Sequence, residues 1–411
     1  MNVQNLKKID PQIAKLIKKE TKRQEETLNL IASENYPSRA VKEALSSIFV
    51  VKYAEGRPFK RYYGGQENID KLETLVEERA RKVFGLNKKW AVNVQPFSGA
   101  PANYEILRGL LKLKDKFLCL YLPHGGHLSQ GGKVSLTGQD FKPVYYYLDK
   151  DGFLNYKEIE RLAIKEKPKL IICGFTAYPR KVDFKKFGQI AKKVGAYLLT
   201  DISHITGLIV GGCHPNPFPW TDVAMTTTHK TLRGPRGAII ICKKELENKI
   251  FPKVFPGLQA GPHEHTICAI GVALKEASSP AFKKYARQII KNTEALAAEL
   301  KRYNFNLISG GTDNHLVLVD LRNKNITGKP TQQLLEKAGI VTNKNTIPYD
   351  PRAPYDPSGI RLGSPALTTR GMKEKEMQKI AFWINELISN PKSYQKIKRE
   401  VKKLCQKFPI P

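Results

Sequence analysis

Polar side chains that could do chemistry stand where three short apolar segments end. His229 and Lys230 follow the threonines of "DVAMTTTHK", Asp201 and His204 follow "AYLLT", and Thr176 follows "KLIICGF". In an open parallel sheet, ligands bind beyond the carboxyl ends of the strands, so these side chains are candidates for one common site. An amine and a carboxylate at such an edge can supply a nucleophile and a group that holds a proton.

A fourth segment, "QPFSGAPANYEILRGLL", has the features of an anion-binding turn. Ser98 and Gly99 precede Pro101, which favours the start of a helix and leaves backbone amides and the helix dipole facing an anion. Each feature alone is more often structural, because a strand-end Asp or a Ser-Gly pair commonly caps a helix. Together they meet the three needs of pyridoxal phosphate: a phosphate site, an acid beside the pyridine nitrogen and a lysine for the Schiff base.

The elements that position these residues are predicted from hydrophobic spacing. "DFKKFGQIAKKVG" places Phe184, Phe187, Ile190 and Val194 on one stripe of a helix, and "IDKLETLVEERARKVFG" predicts another helix that stops at Gly85. Apolar runs of the kind found in strands buried on both faces occur at 116–122, 169–175, 196–202, 222–228 and 237–242. The order strand, helix, strand predicts a parallel sheet.

The sequence therefore predicts an α/β fold, with a mostly parallel central sheet flanked by helices and a smaller C-terminal α/β domain. A helical stretch at 280–303, a strand in "NHLVLVDL" and two lysine-rich amphipathic helices indicate that second domain. We predict a helical arm at 1–26, a large cofactor-binding domain at 27–272 and a small domain at 273–411. A length of 411 residues is consistent with two domains.

Composition restricts the class of protein. The six cysteines form no C-x-x-C pair, which favours reduced packing residues, a cytoplasmic location and no metal site. We find no run of about 18 apolar residues that predicts a membrane span. The net charge of +31 favours attraction to polyanions, but the lysines are scattered along the chain without an RNA-binding motif. We therefore interpret the charge as a basic solvated surface, with nucleic-acid binding a weaker alternative.

Nearly the whole chain resembles the serine hydroxymethyltransferase family. The resemblance runs from "LNLIASENYPS" to "SGIRLGSPALTTRG" and includes "KYAEGRPFKRYYGGQENID", "LPHGGHLSQG", "GFTAYPR", "TTTHKTLRGPRG" and "VTNKNTIPYDP". It implies a pyridoxal-phosphate enzyme of the aspartate aminotransferase fold. It also implies reversible conversion of L-serine and tetrahydrofolate to glycine and 5,10-methylenetetrahydrofolate, by a homodimer or tetramer whose active sites are shared between subunits.

The resemblance assigns roles around the cofactor and the substrate. Lys230 would form the aldimine and Asp201 would pair with the pyridine nitrogen, while Arg361 would bind the substrate carboxylate with its two-pronged guanidinium. The other implied cofactor contacts are the ring-stacking His127, the phosphate neighbours Ser98, Gly99 and His229, and Thr176 and His204 beside the phenolic oxygen. Ser33 is similar to the family's serine near the substrate carboxylate.

Other implied positions come from the neighbouring subunit or contact folate. Tyr53, Glu55 and Tyr63 would complete the partner's site, with Gly261 near the phosphate. Glu55 would handle the proton that moves during transfer of the hydroxymethyl carbon. Four positions resemble the family's folate contacts: Leu122, Gly126, Leu128 and Asn345.

Some positions depart from the family pattern. Phe97 and Ala100 replace a histidine and a hydroxyl residue beside the phosphate cradle, and Ser203 replaces an alanine beside the ring. Leu258 and Ala260 replace glycines before Gly261. We expect these changes to adjust cofactor affinity without abolishing activity.

Two alternative functions are open at this point. One is a folate-independent aldolase acting on β-hydroxy amino acids, or a transferase acting on α-methylserine, with the same cofactor chemistry. The other is an RNA-binding protein that retains the fold, suggested by the charge alone.

Overall fold

The computed structural model describes residues 4–411 and contains a seven-stranded central sheet, a four-stranded sheet and flanking helices. The helices are α1 (Gln4–Ile9), α2 (Pro11–Glu25), α3 (Arg39–Leu45), α4 (Glu67–Val83), α5 (Gly99–Leu110), α6 (Leu136–Asp140), α7 (Tyr156–Glu166), α8 (Phe184–Val194), α9 (Thr206–Val210), α10 (Glu247–Pro252), α11 (Glu264–Ala277), α12 (Pro280–Arg302), α13 (Gly328–Lys337), α14 (Pro365–Thr369), α15 (Glu374–Ser389) and α16 (Tyr394–Lys407). The strands are β1 (Leu28–Asn29), β2 (Gly56–Arg57), β3 (Lys60–Arg61), β4 (Trp90–Asn93), β5 (Lys116–Leu120), β6 (Lys142–Tyr146), β7 (Leu170–Gly174), β8 (Tyr197–Asp201), β9 (Val223–Thr227), β10 (Ala238–Lys243), β11 (Asn306–Leu307), β12 (Leu316–Asp320), β13 (Ile340–Val341), β14 (Asn343–Asn345) and β15 (Gly359–Gly363).

The central sheet confirms the predicted α/β architecture. Its strand order is β4-β10-β9-β8-β7-β5-β6, and all neighbouring strands run parallel except that β10 is antiparallel to both β9 and β4. The five predicted strands are all present, each within about one or two residues of its predicted ends. The sheet is therefore mostly parallel, and β5, β7, β8 and β9 all end at one edge.

Alternating side chains explain why these strands are apolar along their whole length. In β5, Leu118 and Leu120 belong to one hydrophobic core, while Phe117 and Cys119 belong to another. Because successive side chains of a strand point to opposite faces, the sheet has a core on each face.

Helix α8 shows how local sequence sets the crossover between β7 and β8. The backbone N–H of Lys186 donates to the Asp183 carboxylate, which caps the helix, and Gly195 ends it with a left-handed φ of 67°. Phe184, Phe187 and Ile190 pack into the core against the sheet. This crossover places β8, and with it Asp201, beside β7.

The smaller sheet has the order β11-β12-β15-β14 and packs with α12, α13, α15 and α16 around a separate core. Leu28 and Leu30 belong to this core, and β1 pairs with β13. The predicted division at 272/273 falls inside α11. The domain limits therefore stay a prediction, and residues 1–3 of the predicted arm lie outside the described residues.

No helix among residues 4–411 is long and apolar enough to cross a membrane. All six cysteines are free thiols, and Cys119, Cys173, Cys242 and Cys405 are buried in the packed interior.

Candidate active site

Lys230 lies in the turn between β9 and β10, three residues after β9 ends. Its backbone is fixed because the side-chain amide of Asn35 donates to the Lys230 carbonyl over 2.9 Å. Burial lowers the pKa of the Lys230 ammonium to about 8, with Asp201 opposing the shift and Arg361 adding to it. The amine is therefore neutral far more often at physiological pH than an exposed lysine would be.

Asp201, the last residue of β8, has donors on both carboxylate oxygens. The side-chain amides of Asn103 and Gln130 donate to Oδ2 over 3.1 and 2.7 Å. The hydroxyl and backbone N–H of Ser203 donate to Oδ1 over 2.6 and 3.1 Å. These four hydrogen bonds fix the orientation of the carboxylate at the sheet edge.

One cavity at this edge brings together most of the residues predicted to contact the cofactor. Its walls include Gly99, His127, Thr176, Asp201, His204 and Lys230. These residues come from five separate stretches of the chain. Four of the stretches meet because β5, β7, β8 and β9 end side by side, and Gly99 joins them from the start of α5. Their individual roles stay predictions, but the predicted common site exists.

His127 presents a defined tautomer to this cavity. Its Nδ1 accepts the backbone N–H of Ser129 over 3.1 Å and lies 2.8 Å from the Ser129 hydroxyl. Burial is the main cause that lowers the pKa of His127, so the neutral ring carries its proton on Nε2.

Arg361 reaches the cavity from β15 of the smaller sheet. One guanidinium nitrogen donates to the Thr176 carbonyl over 2.6 Å, and Nε donates to the Asn343 side chain over 3.1 Å. Burial lowers the pKa of Arg361 to about 10, which still leaves it charged at neutral pH. Ser33 follows Ala32, which packs against Gly363 of the same strand, and its role at the substrate carboxylate stays a prediction.

The residues predicted to bind the cofactor phosphate lie around the start of α5. Ser98 precedes α5 without using its side chain as a cap, and a Cβ at Gly99 would lie 2.6 Å from the Thr227 methyl. The Thr227 hydroxyl and His229 Nδ1 are buried without a protein partner, and burial lowers the pKa of His229 to about 3. Free buried polar atoms beside a helix N-terminus fit the phosphate and ring of pyridoxal phosphate.

Tyr53, Glu55 and Tyr63 do not line this cavity in the same chain. Tyr53 and Tyr63 are about half exposed, with their rings 5.4 Å apart in an edge-to-face arrangement. The Tyr53 ring lies beside Gly261, where an added Cβ would be 3.2 Å away. These four predicted residues therefore form a second group at the surface.

Buried side chains hold the backbone on both sides of Glu55. Gln66 donates to the Tyr53 carbonyl, Arg61 donates to the carbonyls of Ala54 and Gly56, and Gln95 donates to Gly56 over 2.9 Å. The loop is thus ordered although its side chains are exposed.

A buried acidic pair supports the arginine of this loop. Arg61 pairs with Asp70 and Glu73 over 2.8 and 2.7 Å, and its side chain is almost fully buried. Burial, followed by the nearby Glu73 charge, raises the pKa of Glu264. Glu264 is therefore protonated, and the two carboxyl groups in contact with Arg61 are those of Asp70 and Glu73.

The predicted folate residues lie in two segments of the chain that contact each other. Leu122, Gly126 and Leu128 lie in the segment after β5, and both leucines are exposed. Asn345 ends β14, and the hydroxyl of the next residue, Thr346, donates to the Pro123 carbonyl over 2.8 Å. This contact brings the two parts of the predicted folate site together.

The departures from the family pattern fall into two kinds. Ser203 adds a hydroxyl donor to Asp201, and the Phe97 ring stacks on His263 with centroids 4.2 Å apart. Ala100, Leu258 and Ala260 are exposed.

Sequence reasoning missed Asn103 and Gln130, the two amide donors to Asp201. Asn103 lies four residues after Gly99 on α5, and that spacing places both on one helix face. Gln130 lies in an irregular turn, and its sequence context offers no comparable signal.

The fold and the site together define the class. A strand-end lysine and a carboxylate in one cavity of a mostly parallel sheet are the features of a fold type I pyridoxal-phosphate enzyme. The family model described as serine hydroxymethyltransferase matches residues 6–384. The chain belongs to the serine hydroxymethyltransferase family, whose members are pyridoxal-phosphate-dependent transferases with tetrahydrofolate as cosubstrate.

Two curated relatives agree with this assignment. The serine hydroxymethyltransferase of Desulfotalea psychrophila is 51% identical over 409 residues, covering 99% of this chain and 96% of the relative. That of Sorangium cellulosum is 51% identical over 410 residues, covering 99% and 96%.

Proposed function

We propose that the cavity around Lys230 is where this chain transfers a hydroxymethyl group between L-serine and tetrahydrofolate, forming glycine and 5,10-methylenetetrahydrofolate reversibly. The observation that carries the proposal is the position of Lys230 and Asp201 on the walls of one cavity, with Arg361 donating to another wall residue, Thr176. An amine, an oriented carboxylate and a fixed cation are the groups that a cofactor aldehyde, its ring nitrogen and an amino-acid carboxylate require.

Bound pyridoxal phosphate supplies an electron sink that stabilises negative charge on the substrate carbon. Lys230 holds the cofactor covalently, and its lowered pKa provides the neutral amine for that attachment. Asp201 keeps a proton on the ring nitrogen, with its own orientation fixed by Asn103, Gln130 and Ser203. His127 would cover one face of the ring.

The remaining cofactor contacts are proposed from the resemblance to the family. Ser98, Gly99 and His229 bind the phosphate at the start of α5, where backbone amides are free. Thr176 and His204 flank the phenolic oxygen.

Arg361 and Ser33 bind the substrate carboxylate. The guanidinium is fixed by Thr176 and Asn343 before substrate enters, which reduces the entropy lost on binding. Because Arg361 keeps its charge in a buried site, it pairs strongly with a carboxylate.

A second copy of the chain completes the site. Ile48, Val50, Val51, Phe59 and Tyr62 are all more than half exposed and surround Glu55 in the sequence. A surface this apolar favours a protein interface. We infer a homodimer, or a tetramer, in which Tyr53, Glu55 and Tyr63 face the partner's Lys230 and Gly261 lies near its phosphate. Glu55 is then the group that handles the proton during transfer.

The reduced pterin binds at the rim formed by Leu122, Gly126, Leu128 and Asn345. The two leucines offer exposed apolar surface for a planar ring, and Asn345 offers an amide for its polar edge. Six free cysteines favour a reducing cytoplasmic location.

The test is glycine formation from serine by purified protein, with and without tetrahydrofolate. We expect glycine to form at a rate that depends on folate. Glycine formation that is indifferent to folate would instead indicate an aldolase.

A further inference from the structure

Two buried histidines from different parts of the fold meet behind the cofactor cavity. His204 follows β8 and His315 precedes β12, and His204 Nδ1 lies 3.0 Å from His315 Nε2. Both rings are almost fully buried, at 6% and 1% exposure. His204 lines the cavity of Lys230 as well as a smaller cavity beside His315, so it stands between them.

Both rings are neutral. Burial is the largest cause that lowers the pKa of each, and the charges of Lys230 and Arg361 act in the same direction. Each neutral imidazole carries one proton, so one ring donates and the other accepts.

The surroundings decide which ring donates. His315 Nδ1 is buried and has no hydrogen-bond partner in the protein. If His204 were the donor, the proton of His315 would sit on that Nδ1 as a buried unpaired N–H. Unpaired buried N–H groups are rarer than unpaired acceptors, so the arrangement with His315 Nε2–H donating to His204 Nδ1 is favoured.

We propose that His315 is a positioning residue that fixes His204 in the tautomer with its proton on Nε2. His204 then presents an N–H donor, and not a lone pair, to an anionic oxygen in the cavity, which is the phenolic oxygen of the cofactor or a substrate carboxylate oxygen. Leu318 of β12 pairs with Arg361 of β15, so His315, which precedes β12, lies at the end of the strand that neighbours Arg361. The identity of that oxygen rests on the proposed function. The tautomer of His204 does not depend on it.

The direct test is nitrogen NMR on cofactor-free protein labelled at its 8 histidines, with His204 and His315 assigned from His→Gln variants. We expect protons on Nε2 of both rings. A proton on His204 Nδ1 overturns the proposal even if the enzyme is fully active. Loss of folate-dependent activity in the unsubstituted protein overturns the proposed function and leaves the tautomer result standing.

Substitutions test the consequence. His315→Phe keeps an aromatic ring but has no donor, and we expect the cofactor dissociation constant and the KM for serine to rise by about tenfold, the size of one hydrogen bond. His315→Gln retains an N–H donor and should recover both values to within about threefold. In His315→Phe the proton of His204 should no longer be confined to Nε2.

His214→Gln is the matched control, because His214 is another buried histidine that contacts only Val182 and Pro215 through its ring nitrogens. It should alter thermal stability without changing cofactor affinity, KM or the His204 tautomer. Equal effects of His315→Phe and His315→Gln, or a His204 tautomer unchanged in both, would overturn the positioning role.

Discussion

The cavity around Lys230 and the loop around Glu55 are built in opposite ways. Asp201 and His127 on the cavity wall, and Arg361 beside it, are held by hydrogen bonds within the chain. Around Glu55 the backbone is held just as firmly, but the side chains of Tyr53 and Tyr63 extend to the surface. The proposed sharing of the Glu55 loop with a second copy of the chain requires this exposure of Tyr53 and Tyr63.

Replacing Lys230 tests the first region with the largest expected effect. Purified protein should absorb visible light through the cofactor linked to Lys230, and Lys230→Ala should lose that absorbance and reduce activity to background, because no amine remains for attachment. The exposed Lys192→Ala serves as control. Borohydride fixing the cofactor to another lysine in the variant would refute the assignment.

Replacing Glu55 tests the second region. Glu55→Gln keeps the shape but cannot exchange a proton, so serine-to-folate transfer should fall by roughly 10²–10⁴ while glycine still binds. Glu67→Gln, an exposed change on the neighbouring helix, should leave the rate unaltered.

Mixed oligomers of Glu55→Gln and Lys230→Ala chains test whether Glu55 of one chain acts with Lys230 of another. A hybrid contains one site with an intact Glu55 from one chain and an intact Lys230 from the other, so activity should exceed that of either parent. Hybrids confirmed by mass but no more active than the parents would show that Glu55 does not act across the interface.

The pH dependence of the rate of cofactor uptake tests whether the pKa of Lys230 is lowered in the folded protein. With the pKa of Lys230 lowered to about 8, only the neutral amine reacts, so the rate should rise roughly tenfold per pH unit below 8 and level off above it. Stopped-flow absorbance measures the rate, and a small free amine corrects for titration of the cofactor. A rise that continues to about pH 10 would mean that Lys230 behaves as an ordinary exposed lysine.

Ser203→Ala removes one donor from Asp201 and leaves the other three. Cofactor affinity should decrease by about two- to tenfold, since Asp201 loses one donor and the Thr227 backbone N–H loses its acceptor. Asp201→Asn should have a much larger effect, and equal effects of the two changes would contradict the role assigned to Asp201.

The smallest expected effect concerns the net charge of the chain and its attraction for anionic folate. Each chain carries a net charge of +31, and folate polyglutamates are anionic while serine is a neutral zwitterion. Raising the ionic strength to about 0.15 M, where the Debye length is near 8 Å, should weaken folate affinity a few-fold more than serine affinity. Equal salt responses would leave the charge without a role in substrate capture.

The sequence by itself determined the sheet and the chemistry at its edge. Apolar runs at 170–174 and 197–201 are buried on both faces, and the side chains at their ends, Asp201 among them, lie in the predicted site. Such elements can be predicted from the sequence because the hydrophobic period of a strand or helix, and the residue that ends it, are local properties of the chain.

Only the tertiary structure decided which side chains orient these groups. Gln130 reaches Asp201 across 71 residues of sequence, and His315 reaches His204 across 111. The antiparallel direction of β10 and the placement of Leu28 in the core of the smaller sheet also depend on distant segments. Contacts between segments far apart in the chain follow from how the layers pack, and no local spacing encodes them.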